Sequence, residues 1–541
     1  MYGCIKTKIF RYLCTETIIE AMNPALRFFN TTGPCNPDDH YMLPPEDRLV
    51  GAQLHRYINH KLYWVLHAPR QTGKTTFLQS WMRKINASGQ AIACYVSVED
   101  CQKIPEWENG MKVIYKSICD YAFWGGVPIP LVEDEGPEGL LRRTLKKWAE
   151  LVAPKPLIVL FDEVDVLEGD AMISFLRQLR GGFASRGIGI FPVSVALVGM
   201  RDLKDYITAS KESVTPNPGS PFNIKEDSAV MSCFTREDIE HLFAQRTAEN
   251  GQQITQEALD YVYEQSKGQP WIVNSLFKRA TLRILNQDSV NSVEFEHIKE
   301  AREQMILARE THLDALAIRL KDPGIRTVIQ AILTGDSDPG LAESEAFRIC
   351  IDLGLVAIDD GAPVIANPIY REVIARHLTY SQQLAIPKPE WEWERADQSL
   401  DMDRMLREFQ SFWRLHADLW EPKSDYTEAF PHLLLMAFLQ RVLNGGGHID
   451  REYAAGRGRM DLTIEYKGTR YIIEIKLLRS YQTPEAVLQQ GLKQIRTYRD
   501  KINPATPAYL IIFDRRLQTK EKSWGERILW GYDDDVAVLW C

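Results

Sequence analysis

Apolar positions along the chain follow two rhythms. Short unbroken runs, "LYWVLH" at 62–67, "AIACYVSV" at 91–98, "PLIVLFD" at 156–162, "VSVALVG" at 193–199 and "AYLIIFD" at 508–514, are rich in β-branched and aromatic residues. Each predicts a buried strand. Elsewhere the spacing is helical. "TFLQSWMRKI" follows the first run at 76–85, and residues 234–280 read as helices with Thr235 as N-cap and Gly251 and Gly268 as breakers. Gly268-Gln269-Pro270 opens the next helix, with proline in the first turn, where it is tolerated.

Further on, residues 324–353 predict two helices. A hairpin follows, with strands at about 354–358 and 363–366 around Asp359-Asp360-Gly361. Two prolines and "EWEWERAD" mark residues 381–398 as a linker. Apolar residues at 402, 405, 406, 409, 412, 413, 419 and 420 make 400–420 helical, and a second helix runs through "PHLLLMAFLQRVL" to the glycines at 445–447. "MDLTIEYKGTRYIIEIKLL" then reads as two strands flanking a two-residue loop, Lys467-Gly468.

Composition adds a bound on class. With 541 residues, 45% apolar and 25% charged, the chain is globular and long enough for several domains. No run approaches the roughly 18 apolar residues of a membrane span, so no membrane partner and a cytoplasmic location are expected. Residues 1–21 lack a signal-peptide core and read as a dispensable extension, with Met22 opening the folded part. Nine scattered cysteines form no C-x-x-C pair, which excludes a zinc ribbon or a redox motif. Charge is segregated: the net is −9 overall, but residues 451–530 carry 16 Lys/Arg against 9 Asp/Glu, a local net of +7. That basic field favours a polyanion near the C-terminal end.

Candidate chemistry sits in two places. The loop Ala68-Pro69-Arg70-Gln71-Thr72-Gly73-Lys74-Thr75-Thr76, between a strand and a helix, is a P-loop with alanine in its first place. Gly73 lets backbone N–H groups curl around phosphates, Lys74 reaches the β/γ-phosphates and Thr75 ligates Mg²⁺. The strand at 157–162 ends in Asp162-Glu163, a Walker B layout. Asp162 would hold Mg²⁺ through water, and Glu163 would polarise the attacking water. Arg201, just past the strand ending at Gly199, is a candidate phosphate or sensor residue, with a plain surface arginine as the alternative.

The second place is the hairpin. A loop at Lys467-Gly468 pairs residues whose numbers sum to 935, so Asp461 faces Glu474, and Lys476 shares that face. Two opposed carboxylates call for a cation between them, and oxygen ligands suit Mg²⁺.

These motifs carry two resemblances. Residues 25–380, with P-loop, Walker B, the Gly268-Gln269-Pro270 element and a winged helix, resemble AAA-type ATPases of the STAND and archaeal-ATPase branch. In those relatives the G-x-P element of the lid faces the nucleotide, and the winged helix either binds DNA or packs on the ATPase core. Residues 426–541 resemble the PD-(D/E)XK nuclease superfamily, with Met460 in place of the first proline. The resemblance implies that Asp461, Glu474 and the Ile475 carbonyl bind Mg²⁺ and that Lys476 activates water. It assigns Glu428 to the helix before the hairpin and Gln494 with Tyr498 to the helix after it. Arg457, Arg459, Arg479 and Gln494 would then contact nucleic acid.

The expected architecture is a multidomain α/β chain. It has a lead segment at 22–50, a P-loop AAA-type ATPase core at 51–221, a helical lid at 222–310 and a winged helix at 311–380. A linker and helix at 381–425 precede a mixed α/β restriction-endonuclease-like domain at 426–541. The expected function is an ATP-binding ATPase coupled to a Mg²⁺-dependent nuclease acting on DNA in genome defence, with a homo-oligomer among the expected assemblies. Two other readings stand beside it: an ATP-driven nucleic-acid-binding protein with an inactive nuclease-like domain, and a STAND-type signalling switch acting on a protein.

Overall fold

The computed structural model describes residues 27–104, 106–133, 136–200, 225–308, 313, 316, 318–334, 340–374, 377, 393–420, 434–436, 438–439, 447–450, 462–478, 482–514 and 529–541. The extension at 1–21, most of the 381–398 linker, and Arg201, Glu428, Arg457, Arg459, Asp461 and Arg479 lie outside them. The chain divides into two compact units, Met1–Ala308 with Asp352–Gly354, and Arg309–Ile351 with Leu355–Cys541.

The first unit is built on a six-stranded sheet. Its strands are β1 (Leu49–Val50), β2 (Tyr63–His67), β3 (Ile92–Ser97), β4 (Leu157–Asp162), β5 (Ser194–Gly199) and β6 (Lys225–Met231), in the order β1-β6-β2-β5-β4-β3. All pairs are parallel except β1 with β6. The apolar runs are unbroken because both sheet faces are covered, as parallel sheets require. One face packs helices α3 (Trp107–Trp124), α4 (Leu140–Val152) and α5 (Gly169–Ala184), around Trp148, Phe161 and Phe175. The other packs α1 (Leu54–Asn59) and α2 (Lys74–Ser88), around Trp64, Phe77 and Trp81. β6 stands beside β2 in this sheet, so the ATPase core continues past the expected boundary at 221, and β1 opens the sheet before 51. A strand rich in charge, "KEDSAVM", gave no apolar run by which to see this.

The lid comprises α6 (Arg236–Asn250), α7 (Gln256–Ser266), α8 (Pro270–Lys278) and α9 (Phe295–Leu307). Thr235 caps α6 in a reciprocal capping box with Asp238. Gln269 caps α8, and Pro270 is its first residue. Gly268 is obligatory on two counts. Its φ is +76°, and a Cβ there would fall 1.8 Å from the Phe234 carbonyl oxygen.

After Ala308, α10 (Pro323–Thr334) and α11 (Glu345–Asp352) are followed by the antiparallel hairpin β7 (Val356–Asp359)–β8 (Ala362–Ile365). The hairpin turns on Asp360 and Gly361, both at positive φ. Beyond it lies α12 (Met402–Trp420), then a sheet in the order β13-β14-β12-β11-β10-β9. Its strands are β9 (Gly447–Asp450), β10 (Leu462–Tyr466), β11 (Thr469–Leu478), β12 (Ala508–Asp514), β13 (Leu529–Asp533) and β14 (Val536–Trp540). β9–β10–β11 is an antiparallel meander, while β11, β12 and β14 run parallel. Helix α13 (Pro484–Ile502) joins β11 to β12 and packs Val487, Leu492 and Ile495 on Ile472, Leu510 and Val538. Gly491 permits that approach, since a Cβ would lie 2.6 Å from the Leu510 side chain.

Candidate active sites

The nucleotide-type site forms where α2 leaves β2. Gly73, at φ +99°, turns the loop into the helix. Lys74 is buried, and its ammonium donates to the carbonyls of Ala68 at 2.8 Å and Pro69 at 3.0 Å. Burial pulls its pKa down, opposed by Asp162, Glu163 and Asp165. The Thr75 hydroxyl donates to Asp162 Oδ2 at 2.6 Å, so the loop and the end of β4 converge as expected. Tyr95, from β3, donates its hydroxyl to the same oxygen at 3.1 Å. Glu163 sits in the left-handed region at φ +58°, and its carboxyl is pushed up to about 7 by burial and by the charges of Asp162 and Asp165. Burial also raises Asp165, whose buried Oδ1 has no hydrogen-bond partner among the described residues.

A cavity of about 350 Å³ opens beside this loop. It is lined by Arg70, Gln71, Thr72, Gly73, Lys74, Thr75, Thr76 and Glu163 together with Pro270, Trp271 and Asn274 of the lid. The G-x-P element therefore faces the cavity. The remaining wall was not anticipated: Tyr41, Met42, Leu43, Pro45 and Arg48 of the lead segment. That segment is tied to both the P-loop helix and the lid. The Cys35 N–H donates to the Thr76 hydroxyl at 3.0 Å, and Trp271 donates from its indole to the Thr31 carbonyl at 3.0 Å. Phe29 packs against Tyr41, Phe243 and Phe277. The aromatic pair at 28–29, followed by Tyr41, was the available signal for a buried lead.

The second site lies on β11. The hairpin ladder runs from Leu462↔Ile473 to Tyr466↔Thr469, every pair summing to 935, with Lys467 and Gly468 both at positive φ in the turn. Glu474 and Lys476 point to the face covered by α13, together with Ile472 and Leu478. They are 2% and 0% exposed, form an ion pair, and Lys476 also donates to Gln494 Oε1. Gln494 thus reaches the lysine from α13 while remaining exposed itself, and Tyr498 packs one turn later against the core. Ile475 turns its side chain to the opposite face, where it is buried. Among the described residues no group of three or more His, Cys, Asp or Glu side chains converges as a metal site.

Residues 426–514 match the family model of the PD-(D/E)XK nuclease superfamily. The chain thus carries a domain of that superfamily at its C-terminal end. No curated protein matches the sequence. Among solved structures, the chain is similar to a Walker-type ATPase of Pyrococcus abyssi, at 15% identity, covering 64% of this chain and 99% of that one, with a TM-score of 0.47. It is similar to Cdc6p of Pyrobaculum aerophilum at 14% identity, covering 61% and 91%, with a TM-score of 0.34. It is also similar to the RuvB Holliday junction branch migration motor of Thermotoga maritima at 14%, covering 59% and 90%, with a TM-score of 0.33. The chain brings its P-loop and Walker B residues into contact and carries a PD-(D/E)XK domain at residues 426–514. No helix among the described residues is long and apolar enough to cross a membrane.

Proposed function

We propose that this chain is an ATP-hydrolysing ATPase whose nucleotide state controls a Mg²⁺-dependent nuclease that cuts DNA, serving genome defence. The observation that carries the reading is the hairpin register. The ladder ends at Leu462↔Ile473, and continuing it by one pair would bring Asp461 opposite Glu474, two residues before a buried Lys476. The donor sets fit Mg²⁺. Thr75 and Asp162 already bring hydroxyl and carboxylate oxygens together, and Asp461, Glu474 and the Ile475 carbonyl supply only oxygen. At either site Mg²⁺ would act as a Lewis acid on phosphate oxygens.

The chain's own residues do the rest. Lys74 holds the β/γ-phosphates, and Glu163 accepts a proton from the attacking water. Lys476 orients the water at the nuclease site and offsets charge developing on the scissile phosphate, while Gln494 fixes the ammonium. Glu428 would support the metal from the helix side. Arg201 would read the phosphates of the nucleotide. Arg457, Arg459 and Arg479 would hold the DNA backbone, within the basic segment at 451–530.

The test is incubation of the purified protein with plasmid, Mg²⁺, and ATP or a non-hydrolysable analogue. Mg²⁺-dependent cleavage that changes with nucleotide, stops with EDTA and is lost in Glu474→Ala is the expected result. Binding of DNA without cutting under every nucleotide would sink the nuclease half. Phosphate release that is the same in the parent and Lys74→Ala would sink the ATPase half.

A further inference from the structure

Arg48 belongs to no motif, yet it is one of the most enclosed cations of the first unit, at 7% exposure. Among the described residues it makes no ion pair with a carboxylate. Its guanidinium is shared between backbone oxygens instead. Nη2 donates to the Thr72 carbonyl at 2.6 Å, and Nη1 donates to the Ser232 carbonyl at 3.1 Å. The planar group lies over the Phe234 ring, 4.8 Å from its centroid. Its own main chain closes the loop, because the Arg48 carbonyl accepts from both the Ser232 N–H and the Ser232 hydroxyl. Burial pulls its pKa down to about 10, which leaves it cationic at neutral pH.

Two consequences follow from these bonds. A trans peptide points its C=O and N–H in opposite directions. Holding the Thr72 carbonyl therefore turns the Gly73 N–H away from the guanidinium, at the point where the P-loop must present donors to phosphate. A Cβ at Gly73 would lie 2.7 Å from Arg48 Nη2, so a larger residue there would displace the guanidinium. The second consequence concerns the lid. Phe234 under the guanidinium donates its N–H to the Gly268 carbonyl at 2.8 Å, and Gly268 opens the G-x-P element whose Pro270 lines the cavity. One side chain thus touches the P-loop, the strand end at Ser232 and the residue that seats the lid.

We infer that Arg48 is a positioning residue for ATP, which presets the Thr72–Gly73 peptide for phosphate binding and ties that peptide to the lid through Phe234. The inference rests on the ATP-binding reading. It concerns recognition of the phosphates and not of adenosine.

The test compares ATP with adenosine, each in competition with a fluorescent ATP analogue, on the full chain carrying Arg48→Ala or Arg48→Lys. ATP affinity is expected to fall at least tenfold in Arg48→Ala, with adenosine affinity within twofold of the parent. Arg48→Lys keeps the charge but cannot reach both carbonyls, so it should fall between parent and alanine, and it carries the test if the alanine variant does not fold. Equal losses for ATP and adenosine would reduce Arg48 to a structural role and overturn the inference, as would ATP affinity within twofold of the parent in both variants. A parent that binds no ATP would instead sink the reading on which this one rests.

Discussion

The nucleotide site gathers residues from five distant stretches: the lead segment, the P-loop, Tyr95, the end of β4 and helix α8. The described part of the nuclease-superfamily site lies on one hairpin and the helix after it, with Gln494 eighteen residues from Lys476. The first site surrounds an open cavity with both polar and apolar walls, whereas Glu474 and Lys476 of the second are enclosed between sheet and helix. A site assembled from afar depends on tertiary packing to stay in register. One written on a hairpin depends on its turn.

That contrast can be tested at both sites. The largest change is expected at the hairpin carboxylates. Asp461→Ala and Glu474→Ala should each lower Mg²⁺-dependent cleavage roughly 1,000-fold, about 4 kcal/mol of transition-state stabilisation, with DNA binding retained. Cleavage by the double variant at the parental rate would place the activity elsewhere.

Lys476→Ala should come next. It leaves Glu474 buried without its partner, a loss of about 3 kcal/mol or more of stability, and it removes turnover. Thermal unfolding and cleavage below the new Tm separate the two effects. An unchanged Tm would contradict the buried pair.

At the nucleotide site, Lys74→Ala should weaken ATP binding about 100-fold, roughly 2.7 kcal/mol, read by titration with a fluorescent analogue. Gly268→Ala should lower stability by about 2 kcal/mol, because a methyl group there collides with the Phe234 carbonyl in a left-handed backbone. A calorimetric Tm equal to the parent's would show that the G-x-P turn can relax. The smallest effect belongs to Gly468→Ala, about 1 kcal/mol, since that turn has a positive φ but open space around it. Retained cleavage in that variant would mean that the register is held by the strands as well as the loop.

Legibility in the sequence follows the same division. The hairpin register could be read from Lys467-Gly468 alone, because turn geometry is local and fixes every pair after it. The P-loop and Walker B strands were equally legible, since an apolar run ending in a defined residue is a short-range pattern. The lead segment was not. Cys35 meets Thr76 and Trp271 meets Thr31 across separations of 41 and 240 residues, and no periodicity encodes such contacts. Tyr95 looked like one more strand residue, although a phenol near the carboxyl end of a buried strand needs a partner for its hydroxyl. β6, β9 and β13 were missed because their runs are short, charged or interrupted by glycine; β14, "VAVLW", was a legible apolar run that was overlooked.

One feature of the first sheet reaches further than its place in the strand order. β5 lies between β2, which launches the P-loop, and β4, which ends in Asp162. Adjacent strands stand about 4.8 Å apart, so β5 holds the two launching points roughly 10 Å from each other. The gauge of the cleft is therefore cut by main-chain hydrogen bonds and not by side-chain size. Core residues on either face can drift in shape over evolutionary time while the gap between the phosphate loop and its acidic counterpart keeps its width.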